Sequence, residues 1–117
     1  MKHLEKFNWF RKNEVSEEDI KDILLEVEDL GMTTVFGSGH NYNYLKVTTS
    51  EDEVYSVYWK DIKDCVLRLK SYLGGKFIYF AYVNNFFYST GNSIRQKIND
   101  KTVIEEPIRS FEIKYDK

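Results

Sequence analysis

The string Gly37-Ser38-Gly39-His40 holds residue types that could cradle a phosphate or present a nucleophile. It lacks the lysine of a Gly-x-x-x-x-Gly-Lys-Ser/Thr loop and does not fit Gly-x-Ser-x-Gly. No helix begins after it to offer amides to an anion. A tight loop needs glycine for backbone reasons alone, and that is the reading taken. His3, His40 and Cys65 are the softer metal ligands, and none lies near another in the chain. Structural zinc wants four such ligands, usually in close pairs, so no metal or other cofactor is expected. Cys65 falls on the apolar side of a helical repeat, where a thiol packs as a small hydrophobe. Carboxylates are abundant, but a general acid needs a partly buried carboxyl with a raised pKa. The acids from Glu17 to Asp29 line the polar side of a helix, and Glu105-Glu106 sits in a loop. No catalytic constellation emerges.

Charge layout says more. Glu14 to Leu30 carries eight acids and one base, a local −7, whereas Val66 to Lys101 carries six bases and one acid, a local +5. Glu26, Glu28 and Asp29 stand in the last turn of the acidic helix, where the dipole disfavours them. An ordinary amphipathic helix explains a solvated acidic side. The sharper reading is an acidic ridge of Glu18, Asp22, Glu26 and Asp29 that meets a basic partner surface. The basic half interleaves Phe86, Phe87, Tyr88, Asn92, Arg95, Gln96, Lys97 and Lys101. Stacking on Phe87 and Tyr88, with phosphate contacts from Arg95, Lys97 and Lys101, would suit single-stranded nucleic acid. The sequence pI of about 5.7 speaks against a nucleic-acid protein.

These residues need elements to hold them. Ser16-Glu17-Glu18-Asp19 is a capping box, with Ser16 accepting from the Asp19 amide and Asp19 reaching back. Ile20, Ile23, Leu24, Val27 and Leu30 then recur at helical spacing, and Gly31 supplies a left-handed stop. The spacing predicts a helix over 16–30. Beyond it the period falls to two, predicting strands at 32–36 and 42–49 around the Gly37–Asn41 loop. Val54–Trp59 is ambiguous: Ser50-x-x-Glu53 could cap a helix, while β-branched and aromatic residues favour a third strand, the reading preferred. A second helix is expected from about Lys60 to Leu73, stopped by Gly74-Gly75. Phe77–Val83 reads as an apolar strand, Asn84-Asn85 as a two-residue turn, and Phe86–Thr90 as its return. Gly91–Glu106 is polar, with room for a helical turn at Ser93–Ile98. Ile108–Tyr115 closes the set as an alternating strand. Residues 1–13 form an arm whose Phe7, Trp9 and Phe10 pack on the core.

The expected fold is therefore α+β: two helices on one face of a mostly antiparallel sheet, in the order α-β-β-β-α-β-β-loop-β. A chain of 117 residues fits one domain, residues 1–117, and can bury a core without staples. Apolar residues at 42% and aromatics at 16% exclude a disordered chain. One cysteine suits a reducing compartment. No apolar run approaches a bilayer span, and the N-terminus has no signal-peptide pattern. Ala81 and Pro107 are the only residues of their types, and lysine outnumbers arginine thirteen to four. That bias follows AT-rich codons, and it warns against reading every surface Tyr or Asn as functional.

The α-β-β-β-α string over 16–73 resembles a double-stranded-RNA-binding domain in topology. It departs at Lys60-Asp61-Ile62-Lys63-Asp64, where those domains are basic, and at the acidic first helix. The stretches Ser16–Gly31 and Asp61–Gly74, with the Lys/Asn/Tyr-rich composition, look like short uncharacterised proteins of bacteriophages with AT-rich genomes. That resemblance implies a setting and carries no functional residues. The expectation is a non-enzymatic phage or mobile-element protein in the host cytoplasm. It would bind a host or viral protein, for example as an inhibitor of host defence. A virion component and a nucleic-acid binder are the alternatives.

Overall fold

In the computed structural model, residues 15–49, 57–84 and 93–117 are described. The elements are α1 (Glu17–Ile23), α2 (Leu25–Glu28), β1 (Met32–Ser38), β2 (Tyr42–Thr49), α3 (Trp59–Leu73), β3 (Phe77–Val83), β4 (Ile94–Gln96) and β5 (Ser110–Asp116). A 3₁₀ turn at Gly74–Lys76 links α3 to β3. The strands form one sheet in the order β1-β2-β5-β3-β4, and every pairing is antiparallel. The α+β class holds.

One face of the sheet and the helices share a single core. From the helices come Ile20, Leu24, Val27, Ile62, Cys65, Val66, Leu69 and Leu73; from the strands come Leu45, Val47, Phe80, Tyr82, Phe111, Ile113 and Tyr115. The period of two in each strand sends alternate residues inward, and the register lines them up. Leu45 faces Ile113 and Val47 faces Phe111 across β2–β5, while Phe80 faces Ile113 and Tyr82 faces Phe111 across β3–β5. Phe80 stacks at 5.5 Å from Phe111 and meets Trp59 of α3 edge-on at 5.6 Å.

The expected helix over 16–30 is two pieces. Leu24 breaks it, with φ −86° and ψ 4°. The cause lies on α3. The Cys65 thiol donates to the Ile23 carbonyl at 2.9 Å. The Val27 amide bonds instead to Leu24, one residue nearer than an α-helix requires. A side chain inserted into the hydrogen-bond ladder is a recognised origin of a helix break. Glu28 and Asp29 return to i−4 bonds with Leu24 and Leu25, Leu30 and Gly31 then close with i−3 bonds, and Gly31 ends the segment at φ 93°.

The capping box also differs from expectation. Ser16 Oγ accepts from the Glu18 and Asp19 amides, at 3.1 and 3.3 Å. The return bond is relayed: the Ser16 amide donates to the Tyr72 hydroxyl, which donates to Asp19 Oδ2, both at 3.0 Å. Aspartate is one methylene shorter than the glutamate of the usual box, and a hydroxyl from α3 spans the gap. Helix start and helix packing are thereby one feature.

Four further expectations are corrected or curtailed. Trp59 begins α3 rather than ending a strand, since Tyr58 is extended and its amide donates to Asp61. Val57 makes only a single bridge to Ile108, and 50–56 lie outside the described residues. Ser93–Ile98 does not form a helical turn: Ile94–Gln96 is β4, which pairs with β3 and gains ladder bonds that an isolated turn would lack. The expected return strand Phe86–Thr90 and the N-terminal arm also lie outside the described residues. The remaining helix and strands stand within a few residues of expectation.

Candidate functional surfaces

α1 and α2 turn their acids outward. Glu18, Asp22, Glu26 and Asp29 are all exposed, the first two on α1 and the last two on α2 and at its end. Leu25, 53% exposed, stands among them as an apolar point. Glu26 bonds Arg68 of α3 at 3.0 Å, but both side chains are more than half exposed, and such a pair contributes little. Asp19 is engaged by Tyr72. Among the described residues no cation lies within ion-pair distance of Glu18, Asp22 or Asp29. The surface runs into an open cleft of about 610 Å³ lined by Glu26, Asp64, Leu67, Arg68 and Ser71.

The nucleic-acid candidates are divided. Phe87 and Tyr88 lie outside the described residues. Lys101 is exposed in a turn held by Asn99 and Thr102, and that segment is clipped to α3. Trp59 donates to the Thr102 carbonyl, Lys63 to that of Asp100 and Lys70 to that of Ile98. Arg95 goes elsewhere, to β4, with its guanidinium 4.1 Å from the Tyr79 ring centre. Lys97 borders the same place, a groove of about 220 Å³ that includes Ile78, Tyr79 and Arg95.

That groove opens on a surface sequence reasoning missed: the sheet face turned away from the helices. Tyr44 of β2 and Tyr79 of β3 each sit opposite Lys114 of β5, giving a row of ring, cation and ring across three strands. The next row reads Val35, Lys46, Glu112, Ala81 and Arg95. Lys114 Nζ is 3.8 Å from the Tyr42 ring centre and 5.7 Å from that of Tyr79. The Tyr79 hydroxyl donates to Glu112 at 2.9 Å, and burial with this acceptor raises its pKa. Tyr44 lies flat over Gly37, where an added Cβ would come 2.2 Å from the ring, and Tyr42 covers Gly39 in the same way at 2.4 Å. The glycines of the Gly-Ser-Gly-His string thus serve as seats for rings. Alternation in Tyr42-Asn-Tyr44-Leu-Lys46 was the available signal.

Among the described residues no three His, Cys, Asp or Glu side chains gather as a metal set. The Cys65 thiol is buried, and that burial pushes its pKa up to about 11, the opposite of an activated nucleophile. No helix of the described residues is long and apolar enough to cross a membrane. Set against known protein families, curated proteins and solved structures, the chain matches none of them.

Proposed function

We infer that the protein works without catalysis, by holding a basic surface of another protein against its acidic helical face. The observation that supports this reading is the exposure of Glu18, Asp22, Glu26 and Asp29, with Leu25, 53% exposed, between them in the chain. An apolar centre inside a polar rim is the usual anatomy of a protein–protein interface. Same-sign charge around it steers an oppositely charged partner and rejects others. In the phage or mobile-element setting suggested by composition, the partner is a host or viral protein. The nucleic-acid-binding surface of a defence nuclease has the required positive charge.

The test is a pull-down from nuclease-treated host lysate, using the wild-type chain and a variant with Glu18, Asp22, Glu26 and Asp29 all changed to Lys. A stoichiometric protein retained by the first and lost by the second, with both baits folded, is the expected result. Equal recovery by both would remove the acidic face from the account.

A further inference from the structure

We propose that the open sheet face is a binding platform for single-stranded nucleic acid, seating two or three nucleotides on Tyr44, Tyr79 and Tyr42. The proposal is independent of the acidic helical face, which lies across the core.

Geometry supplies the first argument. Tyr44 and Tyr79 flank Lys114 on adjacent strands, so their rings stand about two strand spacings apart, roughly 10 Å. Both lie on a rigid antiparallel framework with their neighbours fixed by register. Bases splayed from a single strand are recognised by stacking on aromatic side chains of such a sheet, with no need for a groove.

Charge supplies the second. The outward row positions carry Lys46, Lys114 and Arg95 against Glu112 and Asp116, and Lys97 stands at the rim. Glu112 is engaged by the Tyr79 hydroxyl and faces Lys46 across the strands. Arg95 and Lys114, each beside a ring, are the cations best placed for phosphates. This face is cationic in a chain whose overall charge is −2. A partner of the opposite sign with flat apolar units every few ångströms fits it; a basic protein does not.

Competition from within the face is weak. The ammonium of Lys114 and the guanidinium of Arg95 cover the rings in the unbound state. Exposed cation–π contacts are worth less than the stacking of a base on a tyrosine. An arriving base displaces the cation a short way, to the phosphate that arrives with it.

The test is fluorescence anisotropy with labelled oligothymidylate and oligouridylate of about ten nucleotides, at about 50 and about 200 mM salt. Saturable binding that weakens with salt is expected. Tyr79→Ala and Tyr44→Ala should each lower affinity about ten-fold, while Tyr79→Phe retains it. Arg95→Gln and Lys114→Gln should each flatten the salt dependence by about one counterion. Leu25→Ser, which alters the helical face without changing its charge, should keep the affinity, which separates this site from the protein-binding face. Thermal unfolding checks that each variant is folded. If Tyr79→Ala fails to fold, the two glutamine variants decide. Absence of binding at the lower salt, equal competition by a duplex or by a free mononucleotide, or wild-type affinity in the folded alanine or glutamine variants would each overturn the proposal.

Discussion

The helical surface and the open sheet face lie on opposite sides of one core and are built on different rules. On α1 and α2 the charges share one sign, and a lone Leu25 supplies the apolar contact. On the sheet, cations are set between tyrosine rings at single-strand spacing. The helical acids are exposed, and of Glu18, Asp22, Glu26 and Asp29 only Glu26 has an ion-pair partner among the described residues, Arg68. Of the sheet rings, Tyr44 and Tyr42 lie over Gly37 and Gly39, and Tyr79 is tied to Glu112 through its hydroxyl. The difference teaches that one core can carry two surfaces of unlike chemistry: solvated carboxylates on the helices, and rings and cations set by strand register on the sheet.

The sharpest way to test that division is to cut on either side of one strand. Phe80 and Tyr79 are adjacent in β3, with Phe80 fully buried and Tyr79 facing outward. Phe80→Ala should cost about 3–5 kcal/mol in chemical denaturation. Tyr79→Ala should cost about 1–2 kcal/mol, because Tyr79 is only partly buried and loses a cation–π contact and one hydroxyl bond. Similar losses would mean that the open face is a second core.

Alkaline titration comes next. The Cys65 thiol ionises near 9.0 when unperturbed and is pushed up to about 11 here by burial. Its protonated form is favoured in the fold, so its contribution is complete below pH 9.0. That contribution is lost as pH rises to about 11, a loss of about 2–3 kcal/mol. Tyr72, Tyr79, Tyr82 and Tyr115 are raised too, chiefly by burial, and add with the same sign. Cys65→Ser, which keeps a donor for the Ile23 carbonyl, should flatten the first part of this decline in denaturation curves between pH 8 and 11.

Smaller effects separate the surfaces further. Tyr72→Phe removes both relayed bonds of the capping box and should cost about 1–2 kcal/mol, with helicity lost from α1 before α3 in amide exchange. Gly37→Ala should cost about 1 kcal/mol, since the far end of the Tyr44 ring can swing away from the new methyl. Its mark would be a shifted Tyr44 ring resonance in NMR spectra, with the α1 and α2 signals unchanged.

Much of this architecture was legible in residue order. Ile62, Cys65, Val66, Leu69 and Leu73 announce α3, and alternation announces β2, β3 and β5. What stayed hidden depends on partners far along the chain. The break at Leu24 is made by a thiol on another helix, and nothing local to 16–30 encodes it. β4 is a short edge strand with exposed residues, so it has no burial pattern to read. Arg95 and the four acids were visible as candidates because charge runs are local. Tyr42, Tyr44, Tyr79 and Lys114 come from three strands, and only the register makes them neighbours. The abundance of tyrosine in this composition also masked them.

The position of β5 has a kinetic consequence. It is the last strand in the chain and the middle strand of the sheet. Thr48 must find Ser110 and Tyr42 must find Asp116 before the β1–β2 hairpin and the β3–β4 pair become one surface. Such long-range closure slows folding toward the millisecond-to-second range of sheet-dominated domains. Until β5 arrives, the hairpin and β3 each expose an unpaired edge. The step that completes the tyrosine row is then also the step that protects the chain from its own copies.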